Sequence, residues 1–141
     1  MIKMQNISRI FSTEEVETTA LREVSMEISP TEFIAIMGPS GCGKSTLLSI
    51  LGMLDTPDKG QYSFLGQDVS RLSERQRAWL RMKNIGFVFQ NFNLINELTV
   101  FENVELPLLY LGTSKSERQA RTNQALKYMD LMPRRGHYPH Q

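Results

Sequence analysis

The sequence predicts an α/β fold, and three observations predict it. Phe33-Ile34-Ala35-Ile36-Met37 and Ile85-Gly86-Phe87-Val88-Phe89 are short, largely apolar runs without alternation, the pattern of strands covered on both faces. A glycine-rich stretch and a helical segment follow the first run directly. Before it, Val24, Met26 and Ile28 alternate with Ser25, Glu27 and Ser29, the period of a strand with one wet face.

The remaining elements follow in chain order. Ser45 to Leu54 reads as the helix after the glycine-rich stretch, and Gln61 to Leu65, opened by Lys59-Gly60, as another short strand. Three later helices open on capping boxes, Ser73 with Gln76, Thr99 with Glu102 and Ser114 with Glu117, each a hydroxyl three residues before a Glu or Gln. Pro107 is expected to kink or split the middle helix, and Gly112 suits its end. The last helix is expected to bury Ala125, Leu126, Met129 and Met132, with Glu117 and Arg121 paired on its wet side. Trp79, beside Ala78, Leu80 and Met82, is assigned to packing rather than to stacking on a base. About 1–89 forms a β-rich core, and about 90–141 begins a helical subdomain of the same single domain.

Composition narrows the function classes. The chain has 141 residues, 40% of them hydrophobic and 22% charged, a globular rather than a disordered balance. Sixteen basic and fifteen acidic residues are interleaved, so no patch points to nucleic acid, and none is expected as a partner. One cysteine excludes an internal disulfide framework and suits a reducing cytoplasm. The N-terminus carries no signal-peptide core. The longest apolar runs fall far short of the roughly twenty residues needed to cross a bilayer, so work at a membrane would go through a partner.

Chemistry concentrates in Gly38-Pro39-Ser40-Gly41-Cys42-Gly43-Lys44-Ser45, which fits the phosphate-loop pattern G-x-x-x-x-G-K-[ST]. Backbone N–H groups of such a loop point into one hollow, and the following helix adds its positive end, so an anion is held. Lys44 would reach the β- and γ-phosphates and Ser45 would offer its hydroxyl to Mg²⁺. A chance match in a chain of this length has a probability of roughly half a percent. His137 and His140 lack a third partner for a metal and receive no ligand role.

The loop alone does not choose among nucleotide machines. GTPases usually carry Asp-x-x-Gly and Asn-Lys-x-Asp, and neither occurs here. Together with Gly38 to Leu51, Gly86-Phe87-Val88-Phe89-Gln90-Asn91-Phe92-Asn93-Leu94 resembles the ATP-binding subunits of ABC transporters. Leu51-Gly52-Met53-Leu54-Asp55, Gly66-Gln67-Asp68-Val69, Glu102-Asn103-Val104-Glu105-Leu106-Pro107 and His137-Tyr138-Pro139-His140-Gln141 extend the likeness, closest to the macrolide-export and lipoprotein-release branch.

The resemblance implies a P-loop NTPase core of ABC type with an antiparallel β flank and the start of a helical subdomain. It implies ATP and Mg²⁺ as cofactors, with Gly38, Pro39, Ser40, Gly41, Cys42, Gly43, Lys44, Ser45 and Thr46 around the phosphates. Gln90 resembles the Q-loop glutamine, meeting Mg²⁺ and the attacking water beside the catalytic Lys44. Phe11 falls where an aromatic ring stacks on adenine. Thr31 departs from the pattern, since a glycine normally precedes the acidic residue matched by Glu32.

The family continues with a Leu-Ser-Gly-Gly-Gln signature, a Walker B strand, a catalytic glutamate and a switch histidine, none found in this sequence. The chain is therefore expected to be a truncated piece of a longer ATPase, binding nucleotide at best when alone. The implied partners are a transmembrane permease and a second ATP-binding subunit arranged head to tail, on the cytoplasmic face of the cell membrane. A soluble ABC-type ATPase of DNA repair or translation, or a non-catalytic decoy subunit, stand as alternatives.

Overall fold

The computed structural model describes residues 1–12 and 16–141. They form two compact units, Met1–Ile85 and Gly86–Gln141. No helix among the described residues is long and apolar enough to cross a membrane.

The first unit is built on an antiparallel sheet of β1 (Ile2–Ser12), β2 (Glu17–Ile28), β3 (Lys59–Phe64) and β4 (Gln67–Asp68), in the order β2-β1-β3-β4. Met4 pairs with Met26 on one side and with Tyr62 on the other. Between Met4 and Ile7 the register shifts, at Asn6 with φ 51. This bulge lets Met4 and Ile7, three residues apart, both point into the core, where both are fully buried. Gly60 lies against it: a Cβ there would run into the carbonyl oxygens of Gln5 and Asn6.

Helix α1 (Lys44–Leu51) closes the core. Its Leu47 and Ile50 pack with Met53 against Met4, Ile7, Leu21, Tyr62 and Phe64. Truncating Ile50 to alanine would cost about 2–5 kcal/mol, the range for emptying a packed aliphatic site. The Tyr62 hydroxyl donates to the Leu51 carbonyl at 2.6 Å, fixing the end of α1 to the sheet. Burial pushes the pKa of that phenol well above its ordinary value, so it holds its proton more tightly. A 3-10 turn, Val69–Arg71, and α2 (Glu74–Asn84) complete the unit.

The second unit contains α3 (Val100–Tyr110), α4 (Lys115–Tyr128) and a 3-10 turn at Met132–Arg134. Arg118 ties the helices together, donating to the Glu105 carboxylate at 3.2 Å and to the Thr113 carbonyl at 2.9 Å. The segment after α4 returns to the start of α3, where Val100 N–H donates to the His137 carbonyl and Phe101 N–H to that of Arg135. The His140 ring stacks on Tyr138 with centroids 5.9 Å apart.

Several local expectations need correction. Phe33–Met37 and the run 85–89 are extended but belong to no strand, and Phe33 (94% exposed), Met37 (88%) and Val88 (103%) face solvent. Apolar content specifies burial, but a strand also needs a neighbour for its N–H and C=O groups; neither run has a ladder partner among the described residues. The helix after the loop stops at Leu51, three residues early, because Gly52 caps it and Met53 takes a left-handed backbone, φ 57.

Ser73–Gln76 and Thr99–Glu102 form full capping boxes, whereas Ser114 only accepts from the Glu117 N–H. The Glu117 carboxylate instead faces Arg121 at 3.7 Å. Pro107 does not split α3, which runs unbroken through it, and Gly112, φ 71, follows the helix end. The inner face of α4 is Arg118, Thr122 and Leu126, spaced by four, while Ala125 and Met129 are exposed. Trp79 is not packed inside. It is 55% exposed on α2, with the Lys83 ammonium 3.6 Å from its ring centroid.

Candidate functional site

The segment from Gly38 to Thr46 wraps from the extended run into α1. Gly43 caps the helix in a left-handed conformation, φ 90, that an L side chain rarely adopts. A Cβ at this position would also collide with the Ala20 carbonyl oxygen and meet Leu21 Cδ2 at 3.0 Å. The loop is therefore seated directly on β2, and only glycine allows so close an approach.

The first intrahelical bond runs from Leu47 N–H to the Gly43 carbonyl, at 2.9 Å. The N–H groups of Lys44, Ser45 and Thr46 precede it and have no helical acceptor. Gly43 supplies no side-chain cap, and the first turn carries no acidic residue. What remains is a helix end with free donors and no competing anion, a seat that suits an anion such as phosphate. The Lys44 ammonium arches over the loop, donating to the carbonyls of Gly38 at 2.8 Å and Pro39 at 2.6 Å, with Cys42 Sγ at 3.6 Å. The exposed Ser45 hydroxyl is free to ligate a cation, but no carboxylate stands in the turn with it. A cation held there would need most of its oxygen ligands from phosphate and water.

The hairpin leads from this seat to a second feature. Ala20, which touches Gly43, lies two residues from Thr18 on β2, and Thr18 pairs with Phe11 on β1. Two strand residues span about 6.6 Å, and the pairing puts the backbone of Phe11 on the strand beside the one that Gly43 approaches. Phe11 is 44% exposed, with the Arg9 guanidinium 4.8 Å from its ring centroid. Arg9 is held in turn, Nε donating to Asp55 at 2.9 Å and Nη1 to Asp58 at 2.8 Å. Asp58 also accepts from the Ile10 N–H at 2.6 Å. That backbone donor holds the Asp58 carboxyl below the usual aspartate range against the opposing effect of burial, with Arg9 adding to the lowering. Arg9, Asp55 and Asp58 were not singled out from the sequence; the signal available was the placement of Arg9 two residues before the ring.

The left-handed turn at Thr31, φ 66, stands where the sequence pattern called for glycine. Glu32 closes it by accepting from the Ser29 N–H at 2.8 Å. Gln90 lies in the second unit, exposed in a turn followed by left-handed Phe92 and Asn93. The stacked rings of Phe87 and Phe89, 5.4 Å between centroids, precede it.

Comparison with protein families decides the identity, since the model described as ABC transporter matches residues 21–140. The chain belongs to the ABC transporter family. Across its whole length it is 48% identical to an uncharacterised ABC transporter ATP-binding protein of Methanocaldococcus jannaschii, spanning 63% of that protein. It is 47% identical to the macrolide export ATP-binding/permease protein MacB of Marinobacter nauticus, again over its full length but over only 22% of that protein. Among solved structures it resembles a dimeric ABC transporter cassette (41% identity, TM-score 0.91) and a dimeric ATP-binding cassette in a post-hydrolysis state with ADP and Pi (40%, 0.91), covering 62% of each. The fold is thus that of an ABC ATPase cassette, mixed α/β with an antiparallel sheet, and the chain spans under two thirds of the relatives it matches.

Proposed function

We propose that the protein of which this sequence is characteristic binds Mg-ATP and couples its hydrolysis to export through a membrane permease. The observation that carries this reading is the helix start at Lys44–Thr46, rich in free donors and lacking carboxylates, in a chain similar along its whole length to ABC transporter ATP-binding proteins. ATP would supply the phosphoanhydride whose cleavage powers transport.

The chain's own residues have distinct tasks. The N–H groups of Lys44, Ser45 and Thr46 would cradle the β-phosphate, and the Lys44 ammonium would exchange a carbonyl for a phosphate oxygen. The Ser45 hydroxyl would take one position on Mg²⁺, with phosphate and water oxygens at others. The Phe11 ring would stack on adenine, a contact of about 1–3 kcal/mol by analogy with other base-stacking rings. Gly38, Pro39, Ser40, Gly41 and Cys42 would form the wall of the phosphate pocket.

Two copies would meet head to tail around two nucleotides, in keeping with the dimeric cassettes it resembles. The permease partner is inferred from relatives named as ATP-binding/permease proteins, and it would hold the protein at the inner face of the cell membrane. The test is calorimetric titration with Mg-ATP, followed by co-purification with a candidate membrane permease. Saturable binding lost in Lys44→Ala supports the reading; absence of any nucleotide binding overturns it.

A further inference from the structure

Arg9 stands on the same strand as Phe11, with its guanidinium against the ring and both carboxylates of the 55–58 turn holding it in place. Its planar fork explains why arginine occupies the position: Nε meets Asp55 while Nη1 meets Asp58, which a single ammonium could not do with the same geometry. The Arg9 side chain is only 22% exposed, so it is shielded rather than waving in solvent. The turn is itself tied to β1, since Asp58 N–H donates to the Ser8 carbonyl and Ile10 N–H donates back to Asp58. Phe11 itself is 44% exposed, so part of the residue stays open beside Arg9.

We propose that Arg9 is a positioning residue for nucleotide-base recognition: clamped by Asp55 and Asp58, it backs the Phe11 ring and fixes the orientation in which that ring meets adenine. The inference rests on the nucleotide reading above and goes beyond it by adding a residue that touches no part of the ligand. A phosphate-binding role is the competing explanation, and the pairing argues against it. Two carboxylates against one guanidinium leave the cluster with a net negative charge, which repels phosphate. The cation also suits the ring's electron-rich face, and backing one face leaves the other for the base.

The test separates base from phosphate. The affinities of Mg-ATP and of inorganic tripolyphosphate are measured by calorimetry for the full chain, Arg9→Met, Arg9→Lys, Phe11→Ala and the Arg9→Met/Phe11→Ala double variant. Arg9→Met should weaken ATP about two- to five-fold while leaving tripolyphosphate unchanged, which also reports an intact phosphate seat. Arg9→Lys, which keeps one ion pair, should fall between. In the Phe11→Ala background the Arg9 change should have no further effect on ATP, the signature of a residue acting through the ring. Equal losses for both ligands, no loss for either, or additive losses in the double variant would each overturn the proposal while leaving the nucleotide reading standing. Failure of the unaltered protein to bind either ligand would overturn both.

Discussion

The Lys44 ammonium donates at 2.6 Å to the carbonyl of Pro39, five residues earlier in the loop that it closes. Its other contacts, the Gly38 carbonyl and Cys42 Sγ, occupy all three of its donors. The side chain therefore shapes the loop, and one of these contacts must be exchanged for any phosphate oxygen that Lys44 binds. Lys44→Ala should lower Mg-ATP affinity about ten-fold or more, through loss of charge and of loop order together. Calorimetry reads the result directly, and unchanged affinity would refute the assigned role.

A second prediction concerns the turn before the loop. Thr31 is a β-branched residue at φ 66, a conformation that costs an L residue about 1–2 kcal/mol. Glycine removes that strain but loses about 0.5–1 kcal/mol to its freer unfolded chain. Thr31 also donates its exposed hydroxyl to the neighbouring Pro30 carbonyl, a bond that water replaces readily. Thr31→Gly should raise stability by about 0.5 kcal/mol, whereas Thr31→Val, which keeps the branch and deletes the hydroxyl, should lower it. Urea midpoints that move in the reverse order would disprove the strain.

These two sites show how legibility divides in this protein. Caps such as Thr99 with Glu102 are legible because both partners lie within one turn of chain, and the structure forms that box as drawn. The phosphate loop is legible for the same reason, its donors being consecutive. The ring backed by Arg9 is not, because the carboxylates that hold Arg9 lie 46 and 49 residues away. Phe33 and Val88 misled for a different reason: hydrophobicity marks a residue for burial without supplying the strand that covers it. In α4 the buried positions Thr122 and Leu126 follow Arg118 at intervals of four. An ion pair with Glu105 chose that face, and Met129, past the end of the helix, stays exposed although it is the more apolar residue.

The clamp at Asp58 predicts a pH dependence with a definite sign. Its carboxyl is held below the ordinary 3.8, first by the Ile10 N–H and then by Arg9. A depressed folded value means that the carboxylate contributes stability above the unfolded value and loses it as pH falls through the lower folded one. The stability advantage of the unaltered protein over Asp58→Asn should therefore hold at neutral pH and shrink as pH drops below 3.8. Chemical denaturation of both proteins at matched pH checks this, the difference removing every group they share. A difference that stays constant down to strongly acid pH would show that Asp58 does not hold its proton more weakly in the folded state.

Cys42 offers a chemical probe of the same loop. It is the only cysteine, and it is exposed. Its sulfur lies across the loop rather than away from it: a Cβ added at Gly38 would come within 2.7 Å of Sγ, and the Lys44 ammonium is 3.6 Å from it. A bound triphosphate would draw Lys44 toward its oxygens and fill the space over the helix end, narrowing the path by which a reagent reaches the sulfur. A maleimide on Cys42 would in turn occupy volume that the loop leaves for phosphate. Labelling should therefore be fast without nucleotide and slow with saturating Mg-ATP, and labelled protein should no longer bind ATP. Mass spectrometry of the labelling rate reads the first effect, and calorimetry on the labelled protein reads the second. Equal rates with and without Mg-ATP would mean that nucleotide does not cover the loop at Cys42, and full ATP affinity after labelling would place the phosphates elsewhere.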